Sequence, residues 1–192
     1  IEQELGYPCF VKPANLGSSV GISRVSTKEE YEDAVAEAFA FDRKVLVEEC
    51  VRGREIECAV LGNRRPEASI PGEVVPADGF YSYRAKYIDE HGATLSIPAE
   101  LPENLTRAVQ EIAVTSFVTL ECRGLGRVDM FVTEGGRILV NEINTLPGFT
   151  SISMYPKLWE HSGIPYSDLI DRLISLALEE FEAESALRTS YE

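Results

Sequence analysis

Two β-branched, apolar runs separated by paired glycines constrain this chain more than any other feature. Residues 127–133 read RVDMFVT, residues 138–144 read ILVNEIN, and Gly135-Gly136 lies between them. Two consecutive glycines between strand-like runs are a strong signal for a two-residue hairpin. A turn closed on them sets Asp129 opposite Glu142 and Arg127 opposite Asn144. Side chains alternate along a strand, so Arg127 shares a face with Asp129, and Glu142 with Asn144. Directly paired Cβ atoms lie about 4.5–5.5 Å apart, where like charges oppose folding. A hard cation bridging the two carboxylates, with the Asn144 carbonyl oxygen as a third ligand, removes that conflict, and oxygen-only ligands suit Mg²⁺. The hairpin therefore predicts a Mg²⁺ site of the kind that handles phosphate. A solvated acidic edge with an ordinary Arg127–carboxylate pair is the other reading. A turn one residue longer would shift the register. The hairpin alone does not decide between them.

Charge narrows the choice of partners. The 192 residues carry a net charge of −14 with a sequence pI of about 4.6, which argues against nonspecific nucleic-acid binding and against an anionic membrane surface. An anionic ligand must then be met locally, by a few Lys or Arg, backbone N–H groups and metal. No apolar run approaches the ~20 residues of a membrane span. Ile1-Glu2-Gln3-Glu4 is not a signal peptide, and the missing initiator Met suggests a processed chain or a fragment. Cys9, Cys50, Cys58 and Cys122 fit no C-x₂-C spacing, which points to buried or ordinary thiols in a reduced cytoplasmic compartment.

Along the chain, residues 7–13 (YPCFVKP) and 20–25 (VGISRV) read as short strands around a Gly/Ser loop. Ser26-Thr27-Lys28-Glu29 reads as a capping box opening a helix. Tyr31, Ala34, Val35, Ala38 and Phe39 supply that helix with an apolar face. Residues 44–51 are a further strand, so a small α+β unit is expected over 1–52. A second unit over 53–192 opens with an alternating strand at 55–61. Residues 76–98 are long, Tyr-rich and aperiodic, the mark of a functional loop. Leu105, Val109, Ile112, Ser116, Phe117 and Leu120 outline a helix ahead of the hairpin. Residues 148–155 read as a loop or helix start and 157–162 as helix. Leu169, Ile170, Leu173, Ile174, Ala177, Leu178 and Phe181 mark a final amphipathic helix.

Chemistry can sit at two further places. The loop Asn15-Leu16-Gly17-Ser18-Ser19-Val20-Gly21 offers hydroxyls and backbone N–H groups that can cradle phosphate, with Gly17 permitting close approach. It matches neither common phosphate-loop pattern, and a plain hairpin turn explains it as well. Lys12, in the apolar run FVKP, is either an edge-strand guard or a phosphate contact. Glu48 or Glu49 ends a strand and could accept an adenine amino group, and Glu55 could take ribose hydroxyls. Solvated surface charge is the plainer reading of each.

Taken together, VKPANLGSSVGIS, LVEECVRGREIECAVLGN, YRAKYID, GRVDMFVT and VNEINTLPGFTSISMYP closely resemble the bacterial D-alanine–D-alanine ligases of the ATP-grasp superfamily, over nearly all of residues 5–180. The resemblance implies an α+β ATP-grasp fold whose two units grip ATP. Lys12 resembles the lysine that contacts the α- and β-phosphates. Gly17, Ser18, Ser19 and Val20 resemble the phosphate-covering loop, with Ser18 its catalytic-site serine. Glu48 matches the adenine-amino acceptor, Cys50 and Val51 the backbone that reads the ring edge, and Glu55 the ribose ligand. Ile22 and Phe131 resemble the adenine slot's walls. Asp129, Glu142 and Asn144 match the ligands of two Mg²⁺ ions, for which Mn²⁺ can substitute. Arg127 and the Gly148 backbone resemble the oxyanion stabilisers. Ser153 and Met154 align with the pocket for the second D-alanine's carboxylate. Lys86, reaching the γ-phosphate, and Tyr87, lining the second-substrate pocket, fall in a mobile loop.

The activity so implied joins two D-alanines in peptidoglycan precursor synthesis. The first carboxylate takes the γ-phosphoryl group, and the second amine attacks the resulting acyl phosphate. Tyr87 argues against D-lactate as the second substrate, while D-serine stays open. The family has an N-terminal domain and the start of its central domain ahead of the point where this sequence begins, so the chain resembles a fragment, and a Mg·ATP-binding piece without turnover is the alternative. Small molecules are the expected partners, with neither nucleic acid nor membrane, and a homodimer is admissible.

Overall fold

The computed structural model describes residues 1–76, 93–150, 152–188 and 190. Contacts divide the chain into two compact units, with breaks at Arg52/Gly53, Val74/Val75 and Thr94/Leu95.

The first unit runs β1 (Cys9–Pro13), β2 (Ser23–Val25), α1 (Lys28–Phe41) and β3 (Val45–Glu49). Its antiparallel sheet has the order β2-β1-β3. Period-2 alternation in β1 buries Cys9, Val11 and Pro13 on one face. Cys9 and Val11 pack with Val25, Ala34 and Ala38. Lys12 and Phe10 are left on the other face. The capping box of α1 sits one residue later than the sequence suggests. Thr27 caps the Glu30 N–H, and the Glu30 carboxylate accepts from the Ser26 N–H at 2.7 Å. Phe39 does not join the apolar face; it is 54% exposed, while Tyr31 and Val35 pack against the core.

A six-stranded sheet has the order β7-β6-β4-β8-β9, with β5 pairing β4; the second unit contributes β4, β5, β8, β9, Gly72–Val74 of β6 and Leu95–Ser96 of β7. Its strands are β4 (Arg54–Gly62), β5 (Glu67–Ala68), β6 (Gly72–Pro76), β7 (Ala93–Ser96), β8 (Gly124–Val132) and β9 (Ile138–Asn144). Thus the C-terminal end of the expected 76–98 loop is strand, and residues 77–92 lie outside the described residues. One face of the sheet packs against α2 (Glu103–Thr119) through Ile56, Cys58, Val60, Val128, Met130 and Val132 against Val109, Ala113 and Phe117. Leu120, expected on that helix's apolar face, lies beyond its end and is 60% exposed. The chain then forms α3 (Met154–His161) and α4 (Tyr166–Ser185). Tyr155 donates its hydroxyl to the Val60 carbonyl at 3.0 Å, tying α3 to the central strand. Gly72 lets α3 close on β6: a Cβ there would come within 2.8 Å of Leu158 and 3.1 Å of the Met154 sulfur. Of the expected apolar stripe on α4, only Leu169 is buried; Ile170, Ile174, Leu178 and Phe181 are exposed.

Candidate functional site

The β8–β9 hairpin has the residue pairing expected of it, by a different route. Its turn is one residue longer than a Gly135-Gly136 turn. The Thr133 N–H donates to the Arg137 carbonyl, Gly136 adopts φ 76°, and Val132 pairs with Ile138. A glycine in that left-handed conformation closes a three-residue turn. The register is therefore shifted by one near the turn. It is restored by a β-bulge: Met130 pairs with Val140 but Asp129 with Glu142, leaving Asn141 as the extra residue. Beyond the bulge Asp129 faces Glu142 and Arg127 faces Asn144.

Strand β4 adds a residue that the sequence reading overlooked. Glu57 pairs with Asp129 from the other side. Three carboxylates, Glu57, Asp129 and Glu142, thus stand in a row across β4, β8 and β9, each directly opposite the next. The available signal was Glu57 itself, an acidic residue inside the otherwise apolar run IECAVLG.

Arg127 answers this charge. Its Nε donates to Asp129 Oδ1 and its Nη2 to Asp129 Oδ2, both at 2.7 Å. Its Nε is also ion-paired with Glu57 Oε2 at 3.0 Å. Only 20% of the Arg127 side chain is exposed, 15% of Asp129 and 11% of Glu57, so water screens the cluster little. Burial works against the charged guanidinium. Hydrogen bonding to Asp129 and the charges of Asp129, Glu57 and Glu142 outweigh it, and the proton is held more tightly than on an ordinary arginine.

Asn144 points into the same place. Its amide nitrogen donates to Asp129 Oδ2 at 3.1 Å and to Glu142 Oε1 at 3.3 Å, so three side chains converge on one point. Half a turn of the amide about its terminal C–C bond presents the carbonyl oxygen there instead. Two carboxylates and an amide oxygen are the donor chemistry of a hard dication. The described residues hold no group of three or more His, Cys, Asp or Glu arranged as metal ligands, so the donor set rests on Asn144 as well as the acids.

The following loop is held by its own polar groups. The Ser153 hydroxyl accepts from the Thr150 N–H at 3.1 Å and lies 2.9 Å from the Thr150 hydroxyl. Tyr166 donates to the Phe149 carbonyl at 3.0 Å. Gly148 faces Ser153, whose Oγ would lie 3.0 Å from a Cβ. The Met154 side chain is buried against β6, so toward solvent this residue offers only backbone at the start of α3.

In the first unit, Lys12 forms an ion pair with Glu48 at 2.7 Å, on the sheet face away from α1. The loop that follows β1 places Ser18 and Ser19 both at φ 59°. Glycine's freedom is needed not at Gly17, around which a Cβ would have open space, but at Gly21, with φ 68° and Phe41 only 2.7 Å from a Cβ. Ile22, Cys50 and Val51 are half-buried, and Cys50 is a free thiol. Glu55 and Phe131 pair across β4 and β8, next in line to the carboxylate row and on its face of the sheet. Lys86 and Tyr87 lie outside the described residues.

The family described as D-ala D-ala ligase C-terminus matches residues 1–175. The D-alanine–D-alanine ligase of Shouchella clausii is 58% identical over 190 residues, covering 99% of this chain and 52% of that protein. D-alanine–D-alanine ligase A of Escherichia coli is 55% identical over the same shares. Among solved structures, the D-alanine–D-alanine ligase of Coxiella burnetii superposes with a TM-score of 0.84 at 46% identity, covering 93% of this chain and 47% of that one. The VanG D-Ala:D-Ser ligase of Enterococcus faecalis also gives 0.84, at 41% identity, over 92% of this chain and 51% of that one. The chain spans about half the length of the curated relatives it matches. It has the α+β ATP-grasp fold and belongs to the D-alanine–D-alanine ligase family, whose C-terminal part it matches.

Proposed function

We propose that this chain is the ATP- and metal-binding part of an enzyme that joins two D-alanine molecules at the expense of ATP, for peptidoglycan precursor synthesis in the cytoplasm. The observation that carries the reading is the convergence of Asp129, Glu142 and Asn144 on one point beside Arg127. Asp129, Glu142 and Asn144 would hold Mg²⁺, two ions in all. Bound there, the metal supplies charge neutralisation to the transferring phosphoryl group.

The remaining residues are assigned tasks by the same reading. Lys12 contacts the α- and β-phosphates and Glu48 accepts the adenine amino group, so ATP replaces their mutual ion pair. Glu48 is 41% exposed, so water can replace Lys12 on its side of the pair. Ser18 and Ser19 offer hydroxyls and left-handed backbone to the phosphates, with Gly17 beside them. Ile22, Cys50, Val51 and Phe131 border the adenine, and Glu55 takes the ribose. Lys86 reaches the γ-phosphate.

The first D-alanine's carboxylate attacks the γ-phosphorus, giving an acyl phosphate and ADP. The second D-alanine's amine then attacks the acyl carbon, and phosphate leaves. Arg127, held flat by its two bonds to Asp129, stabilises the oxyanion with the Gly148 N–H. Each such donor is worth about 3–4 kcal/mol in other enzymes. Ser153 and the backbone of Met154 receive the second carboxylate, where the first turn of α3 directs N–H groups outward. Tyr87 lines that pocket.

The test is D-alanine-dependent phosphate release from Mg·ATP, with D-serine and D-lactate run alongside. Release with D-alanine alone supports the reading. Release with D-serine as second substrate moves the chain toward ligases of the VanG kind. Mg·ATP binding without release fits a nucleotide-binding portion that needs the other half of its relatives' length. Failure to bind Mg·ATP overturns the proposal.

A further inference from the structure

Glu57 belongs to the cluster, yet neither the hairpin reading nor the family resemblance gives it a task. Its carboxylate stands on the central strand β4, and its side chain is only 11% exposed. Burying a carboxylate is costly unless it is paired, and Arg127 Nε lies 3.0 Å from Glu57 Oε2.

Strand order separates Glu57 from the expected metal position. Glu142 lies on β9 and Glu57 on β4, with β8 between them. Neighbouring strands are about 4.8 Å apart, so the two outer carboxylates start from backbones nearly 10 Å apart. A cation between Asp129 and Glu142 sits on the β9 side of Asp129, and Glu57 is on the other side. Meanwhile both oxygens of Asp129 are committed to Arg127, and Oδ2 accepts from Asn144 as well. A dication on that carboxylate draws its charge away from the guanidinium. Arg127 would then be a largely buried cation whose strongest partner had turned elsewhere.

We propose that Glu57 is the positioning residue that keeps Arg127 in place when Asp129 ligates the metal. The assignment rests on the metal reading of the hairpin given above. In the metal-free chain Arg127 is shared by Asp129 and Glu57; with metal bound, Glu57 carries it. Glu57 touches no reacting atom and acts through Arg127.

The test follows the Arg127 Nε–H signal of the whole chain by nuclear magnetic resonance, without and with Mg²⁺, together with Mg²⁺ affinity by calorimetry. In the wild type the signal shifts on adding Mg²⁺ and its exchange with water stays slow. In Glu57→Gln it is unchanged without Mg²⁺. With Mg²⁺ it exchanges at least about tenfold faster, as expected when a charge-assisted hydrogen bond is weakened. Mg²⁺ affinity is nearly unaltered in Glu57→Gln and collapses in Asp129→Asn. Should Glu57→Gln fail to fold, Glu57→Asp, which withdraws the carboxylate by one methylene, carries the same expectation. Three results overturn the assignment: equal protection in variant and wild type with Mg²⁺, faster exchange regardless of Mg²⁺, or loss of Mg²⁺ binding in Glu57→Gln, which would make it a ligand. Absence of any Mg²⁺ response in the wild type overturns the metal reading itself, and is recognised without a variant.

Discussion

Replacing Glu142 by Gln should raise the stability of the metal-free chain and lower that of the metal-loaded chain. Asp129 and Glu142 are directly opposed across β8 and β9. At about 5 Å and an effective dielectric constant near 20, two like charges repel by roughly 3 kcal/mol. Glu142 is exposed, so solvent screening reduces this to the ~0.2–1 kcal/mol typical of cross-strand pairs. Gln keeps the oxygen that accepts from Asn144 and removes only the charge. For a chain of this length the gain corresponds to a melting temperature about 1–3 °C higher in EDTA. Metal reverses the order. At Mg²⁺ near 100 times its dissociation constant the wild type gains about 2.7 kcal/mol; a variant binding about 30-fold more weakly gains about 0.9. Melting curves recorded across a Mg²⁺ titration should therefore cross. The reasoning is refuted if Glu142→Gln is the less stable form in EDTA, or if it gains as much from Mg²⁺ as the wild type.

Two further predictions concern the scaffold. Gly21→Ala should destabilise the first unit by about 1–3 kcal/mol, from its φ of 68° and the 2.7 Å approach to Phe41. Gly17→Ala should stay within about 0.5 kcal/mol, since a Cβ there meets nothing within 4 Å; chemical denaturation of both variants separates these outcomes. Burial pushes the Cys58 thiol up to about 12 from a reference of 9.0. The folded state thus favours the protonated thiol. That stability is fully present below pH 9.0 and is lost as pH rises toward 12, by at most about 1.4 kcal/mol per pH unit. Denaturation from pH 8 to 11 should show the slope in the wild type and a shallower one in Cys58→Ala; equal slopes would exclude Cys58 as the cause.

Local pattern made much of the fold legible. Alternation in CFVKP marks a strand with one buried face, and the apolar spacing of α2 names the residues that reach the core. Where the reading slipped, a neighbour decided the outcome. Phe39 fits a helical face but lies outside the contact made by Ala34 and Ala38, and Leu120 falls past the end of its helix. The stripe on α4 is periodic in sequence, yet of its apolar residues only Leu169 is buried. Periodicity records which residues share a face; what covers that face is a property of other segments.

The hairpin shows the same division at the site itself. Sequence by itself determined that Arg127, Asp129, Glu142 and Asn144 lie on two adjacent strands, because β-branched runs around glycines leave few alternatives. The family motifs supplied the chemistry proposed for them. Only the tertiary structure decided that a longer turn and the Asn141 bulge offset each other, since each shifts the pairing by one residue in opposite senses. Only it could bring Glu57, 70 residues before Arg127, against the guanidinium, because pairing between β4 and β8 is a long-range contact that no local pattern encodes.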